Sequence, residues 1–330
     1  MAATTAALIL ASAARADDVA DFYRGRNVDL QIGVGVGGGN DLWARAIGRH
    51  IGRHIPGAPS IVPKNMPAAG SLALANFLYS AAPQDGSVFG MILRGIPFEP
   101  LFEGKGVQFD PLKFHYIGSP SRDFSMCAVW HTHPAQTAQD MFKQETVFGS
   151  TGAGNESHIF PLILEKLIGM KAKIIKGYTG SQDMLLAVEK RELDGVCLGT
   201  ESLRRSSQFK DGKFRIILQM ATEEDPTLKG LPLVTAFAKT AEDRAALDLI
   251  FARVDLGRPF VAPPGVPAAR VAALRAAFMA TMDDAAFKEE AAKLRFDISP
   301  TSGEKLEGLV RKAYTTPPAV VKRTAELLSE

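Results

Sequence analysis

The sequence predicts an α/β fold in two domains. Two observations carry that reading: short apolar strand patterns alternate with helical ones along most of the chain, and the loops that join them are built from small residues. The length of 330 residues, with 46% hydrophobic and 22% charged content, exceeds one compact core and favours two.

The alternation runs in order. Residues 28–32 alternate like a strand, 33–39 hold five glycines, and 41–55 read as a helix striped by Trp43, Ile47 and Ile51 at i, i+4 and i+8, stopped by Pro56 and Gly57. The unit then repeats, with a strand at 60–64, a loop at 67–71, a helix at 72–82, a turn at 83–86 and a strand at 88–93. A second set follows, with strands near 114–117, 126–130 and 146–148, a loop at 150–155, and a helix to about Ile168. Strand 172–175, helix 181–191 and strands 196–198 and 215–219 continue the pattern, which argues for mostly parallel sheets flanked by helices. Helices dominate after Ala241, except for an apolar return strand within 258–265. The expected division is a first domain of 17–120 plus 256–330 and a second of 121–255. Helices at 267–282, 284–294 and 302 onward would pack on the first, and a ligand cleft would lie between the two. Crossings near Gly118–Ser125 and Leu256–Val261 are the expected hinges.

Composition excludes several partners. Lys and Arg number 38 against 36 acidic residues, without a like-charge block, so nothing marks the chain for nucleic acid or an anionic membrane. No later apolar run reaches the roughly 20 residues needed to span a bilayer. Residues 1–16 resemble a signal peptide, with an apolar stretch at 6–11 and Ala14-Arg15-Ala16 as the cleavage signal, although no basic residue precedes the apolar run. The expectation is export to the periplasm, with a mature chain from Asp17. Cys127 and Cys197 each lie in a strand-like run and read as buried small hydrophobes, with pairing left open. They have no neighbouring ligands at zinc spacing.

The loops carry the chemistry. Gly37–Asn40, Ala68–Ser71 and Ser150–Asn155 each put small residues between a strand and a helix, where unsatisfied N–H groups and the helix dipole favour an anion. For any single loop, ordinary turn chemistry is the stronger reading; the anion reading rests on several loops sharing one design. Asp41 reads as a cap that holds its loop, or as a partner for a ligand ammonium. His158, one turn into its helix, is a carboxylate donor or a structural histidine.

Rival readings are thinner. Gly33, Gly35 and Gly38 satisfy G-x-G-x-x-G, but the next strand ends in Lys64-Asn65 where a dinucleotide fold places an acid. His50 and His54 at i, i+4, and His131 with His133, raise a metal-dependent hydrolase. The first pair lacks the intervening glutamate and is flanked by Arg49 and Arg53, so it reads as a solvated face. No G-x-S-x-G elbow stands in convincing strand context. No enzyme activity, cofactor or metal is expected. An exported enzyme acting on a carboxylate or phosphate ester, or a ligand-sensing partner of a membrane kinase, are the alternatives.

These segments resemble a family, the receptors of tripartite tricarboxylate transporters, also called Bug-type solute-binding proteins. The resemblance rests on Gly37-Gly38-Gly39-Asn40-Asp41, Asn65–Ser71, Ala82–Gly86 and Gly149–Asn155, and further on Gly177–Ser181, Ala187–Gly195 and Ala262–Pro267. It implies a two-domain clamp of the type II periplasmic-binding class in which carboxylates meet loop N–H groups. Its expected partners are a small organic carboxylate and inner-membrane transporter subunits, with the protein a monomer. The implied ligand-binding residues are Gly37, Gly38, Gly39, Asn40, Asp41, Ala69, Gly70, Ser71, Ser150, Thr151, Gly152, Ala153, Gly154, Asn155, His158, Tyr178 and Asp194. Two positions depart from the pattern. Val36 stands where the family commonly has proline, and Arg94 where small hydroxyl residues are familiar. Arg94 reads as a partner for a second carboxylate or as a solvated side chain.

Overall fold

The computed structural model describes residues 18–102, 104–122, 124–152, 155–225 and 227–328. The expected signal segment and its cleavage point lie outside them. The chain forms two compact units, each with its own sheet. Of the described residues, the first comprises those up to Pro97, with 105–122 and 258–311; the second comprises those within 98–104, 123–257 and from Lys312 on.

In chain order the strands are β1 (Asn27–Ile32), β2 (Ser60–Asn65), β3 (Val88–Met91), β4 (His115–Ser119), β5 (Ser125–Trp130), β6 (Thr146–Ser150), β7 (Ala172–Lys176), β8 (Gly195–Gly199), β9 (Phe214–Gln219), β10 (Phe260–Ala262) and β11 (Thr301–Ser302). The first sheet has the order β11-β4-β10-β3-β1-β2 and the second β7-β6-β8-β5-β9. Both are α/β sheets flanked by helices, but both are mixed, where mostly parallel strands were expected. β1 runs parallel to β2 and β3, whereas β10 runs against β3 and β4, and β11 against β4. In the second sheet β6 is parallel to β7 and β8, while β5 is antiparallel to β8 and β9. An apolar run such as β5, buried along its whole length, looks the same in either direction, so its pattern could not reveal the sense of pairing.

The helix after β1, α1 (Gly39–Ile51), buries Trp43, Ile47 and Ile51 completely, as the spacing predicts. Trp43 stacks on Phe296 at 3.9 Å between ring centroids and anchors the first core with Leu30, Ile32 and Phe260. After β2 comes α2 (Leu72–Ser80), and after β6 comes α3 (Glu156–Ile163). The long helix expected to reach Ile168 changes to a wider π turn over Leu164–Ile168, ended by Gly169 in the left-handed conformation. Pro161 lies just upstream and supplies no N–H to the ladder.

One reading of the sequence is corrected here, and one left open is decided. The last helix is not continuous from 302: it divides into Gly303–Ala313 and Pro318–Leu328, because Pro317 and Pro318 cannot continue the first segment's hydrogen bonding. The second piece packs on the helix Ala241–Leu256 of the second unit, and Leu327 joins that unit's core, rather than that of the first. Cys127 and Cys197, facing each other in the β5–β8 register, form a disulfide and not merely two buried thiols. Among the described residues, no helix is long and apolar enough to cross a membrane.

Candidate functional site

In the first unit the carboxyl ends of β1, β2, β3 and β4 share one edge, and β10 begins there. Loops at this edge sit at the topological switch where α/β sheets bind ligands. The glycine loop is held from both sides. Asn65 Nδ2 donates to the Val34 carbonyl at 2.9 Å, and Gly37 N–H donates to Asp41 Oδ2 at 2.8 Å. Gly37 has φ +89°, which a glycine adopts without cost.

Asp41, 1% exposed, is the knot of this arrangement. Its carboxylate also accepts from Arg45 Nε at 3.0 Å and from Asn65 Nδ2 at 2.8 Å, while Arg45 donates to Asn65 Oδ1 at 2.5 Å. Burial alone would push the Asp41 carboxyl up; the hydrogen bonds from Asn65, Gly37 and Arg45 outweigh it and hold the pKa below the ordinary value. The residue is therefore a loop holder whose charge is matched by Arg45. These bonds are the loop-holding ones that one of its two readings expected.

What Asp41 does not cap is the start of α1 itself. The residue before that helix is Gly38, and no side chain caps its first turn. A Cβ placed on Gly35, Gly37 or Gly38 would meet no atom within 4 Å, so the loop surface is uncovered. Gly39 and Asn40 open the helix beneath it. The second loop meets the first through Ser71, which is fully buried and accepts from Leu93 N–H at 3.2 Å. A Cβ on Gly33 would lie 1.8 Å from Ser71 Oγ. Gly33 is thus required for packing against Ser71. Ala69, Gly70 and Ser71 all have positive φ, at 48°, 60° and 79°, a strain that two non-glycine residues carry only where neighbours enforce it. Arg94 follows β3 and is 8% exposed, so it is buried and not the solvated side chain that was one of its two readings.

The second unit has a matching edge. Asn155 caps α3 through Ser157 N–H at 3.0 Å and also accepts from Ser157 Oγ. Thr151 N–H donates to Ser157 Oγ and Gly152 N–H to Ser150 Oγ, both at 3.1 Å. Those donors, like that of Gly37, bond within the loop itself. Ala153 and Gly154 lie outside the described residues. Tyr178 N–H donates to the Ser150 carbonyl at 3.2 Å, which brings the loop after β7 beside the loop after β6. Burial, then the charge of Glu192, raise the Tyr178 phenol above its ordinary pKa. His158 is 1% exposed within α3.

Asp194 does not join these loops. It accepts from Val147 N–H at 2.9 Å and lies 3.6 Å from His133, at the amino ends of β6 and β8. Three residues of strand, about 10 Å, separate that position from Ser150. Conversely, Ser125 and Thr200 are at the loop edge and were missed. Ser125 Oγ donates to Glu156 at 3.4 Å, and Thr200 donates through N–H and Oγ1 to the Phe124 carbonyl at 2.7 and 2.8 Å. No motif marked them, because the antiparallel sense of β5 alone brings its first residue to the end of β8.

The paired histidines are engaged elsewhere. His50 Nε2 lies 2.6 Å from Glu290 and His54 Nε2 lies 2.8 Å from Asp284, so they tie α1 and the single turn Gly52–His54 after it to the helix Ala285–Leu294 and are not a solvated face. Asp284 caps that helix, and the Phe287 N–H is the leading reason its pKa falls to about 2, helped by His54 and Arg53. Among the described residues, no group of three or more His, Cys, Asp or Glu is placed to hold a metal ion.

Two α/β units, each presenting small-residue loops at the carboxyl ends of its strands, are the architecture expected of the periplasmic-binding class. The chain belongs to the tripartite tricarboxylate transporter family receptors, whose model matches residues 44–325. Among solved structures it resembles the periplasmic binding protein BugD, at 20% identity over 92% of this chain and 97% of that one, with a TM-score of 0.67. It also resembles a protein of R. palustris with adipate, at 17% identity, coverages of 92% and 97% and a TM-score of 0.68. A third is MatC from Rhodopseudomonas palustris with bound malate, at 18% identity, coverages of 92% and 99% and a TM-score of 0.66. At these identities the likeness shows the fold. No curated protein matches the sequence significantly.

Proposed function

We propose that this protein captures a small organic carboxylate in the periplasm and delivers it to a tripartite tricarboxylate-type membrane transporter without altering it. The observation that carries the reading is the amino end of α1. Gly38 leaves its first-turn N–H groups without a side-chain cap, in a loop that Asp41, Asn65 and Arg45 hold in shape. Such a turn offers several aligned donors and the positive end of a helix dipole. Charge-assisted hydrogen bonds contribute roughly 1.5–3 kcal/mol each, enough in threes or fours for micromolar binding after association costs. Because Asp41 is already matched by Arg45, its charge does not oppose an incoming anion.

In this proposal the bound ligand favours a closed state of the protein, and hinge closure commits it. Family membership supports transport as the purpose, and two structural relatives carry the dicarboxylates adipate and malate. The Cys127–Cys197 disulfide supports export, since such bonds persist in oxidising compartments.

A thermal-shift screen of the chain from Asp17 tests the reading, using mono-, di- and tricarboxylates, aromatic acids and acidic amino acids, with nicotinamide dinucleotides and divalent metals as rivals. A bound ligand at about 100 times its dissociation constant stabilises the native state by roughly 2.7 kcal/mol. Stabilisation by a carboxylate that is recovered unchanged is the expected result. Stabilisation by a dinucleotide or metal alone would refute the proposal.

A further inference from the structure

The glycine loop carries one side chain that the fold does not use. Val36 is 76% exposed, the most exposed large hydrophobic among the described residues; Leu186 and Ile175 follow at 47% and 39%. A single exposed valine is by itself ordinary on a protein surface. This one is held in place. The Val34 carbonyl on one side of it is bonded by Asn65, and Gly37 N–H on the other is bonded by Asp41, so the crest is fixed within two residues in each direction. Its neighbours Gly35, Gly37 and Gly38 contribute no side chains and have open space above them. Turn chemistry favours Gly, Asn, Asp or Ser here, whereas a β-branched apolar residue gains nothing from water.

We infer that Val36 is a specificity-determining contact for the hydrocarbon body of the ligand, and that the preferred carboxylates have an unsubstituted alkyl chain rather than a hydroxylated one. The inference rests on the carboxylate-receptor reading above and deepens it. The uncapped start of α1 takes the carboxylate, and two residues earlier the valine offers an apolar surface to whatever is attached to it. A methylene laid on Val36 loses water; a hydroxyl laid there loses its hydrogen bonds to water and finds no donor or acceptor on the side chain.

Calorimetric titration of succinate, adipate, suberate, malate and citrate into wild type, V36S and V36I tests the inference. Wild-type affinity should rise from succinate to adipate and exceed that for malate. In V36S the adipate affinity should fall about five- to tenfold, the loss of one to two methylene-sized contacts, and the dependence on chain length should flatten. V36I should restore or sharpen that dependence. If wild type binds these acids with no preference for alkyl over hydroxylated chains, or if V36S keeps the wild-type preference, the inference falls while the receptor reading stands. An equal loss for malate and suberate with a lowered ligand-free unfolding midpoint would make Val36 a structural residue and also overturn it. If no carboxylate binds the wild-type protein, the receptor reading itself fails.

Discussion

Asp41 shows how one carboxylate sets the shape of a loop. Buried and accepting from Gly37, Arg45 and Asn65, it exchanges solvation for three fixed donors. Removing it strands those donors, so D41A should cost about 1–3 kcal/mol in urea unfolding and weaken carboxylate binding. Its pKa is lower in the folded state than the ordinary value of 3.8. The stabilisation is therefore complete above the ordinary value and is lost as pH falls through the lower folded one. The stability gap between wild type and D41N should shrink in that acid range. A gap independent of pH would show that the carboxylate's charge contributes nothing.

Single turns decide how each loop enters its helix. α3 is capped by Asn155, whereas α1 starts from a glycine with no side-chain cap. N155A should destabilise by about 1 kcal/mol, read from chemical denaturation. It should also release Ser157 from its bond to Asn155. A harsher test lies in the first unit. Since a Cβ on Gly33 would meet Ser71 Oγ at 1.8 Å, G33A should displace Ser71 from Leu93 and cost at least about 2 kcal/mol. S71G removes the obstacle and relieves a positive φ, so the double mutant should be more stable than the sum of the single effects. Simple additivity would mean that the two residues do not share this space.

At the scale of the whole chain, the disulfide is the main covalent device. It joins neighbouring strands β5 and β8 across 70 residues of sequence. A loop of that size constrains the unfolded chain by about 4 kcal/mol in the chain-entropy account. The C127S/C197S variant should lose stability of that order in thermal unfolding, and reductant should have little further effect on it. A variant as stable as the oxidised wild type would show that the bond does not constrain the chain. The break at Pro317-Pro318 acts at the same scale, because it lets the last helix leave the first unit and supply Leu327 to the second core.

Local signals in the sequence determined the α/β class, most of the strand and helix positions, and the glycine and small-residue loops. Periodicity, Gly and Pro placement and helix-start residues act over only a few positions, so they can be read without knowing what lies across the sheet. The strand directions, the Cys127–Cys197 pairing and the destination of the last helix were decided by the tertiary structure. So were the neighbours of each loop: Ser125 and Thr200 came to the site edge, and Asp194 went to the far end. A strand's apolar pattern is the same in both directions, and a motif names a residue without saying which end of the sheet receives it. Only the order and sense of the strands, fixed by packing across long stretches of sequence, bring those side chains together or keep them apart.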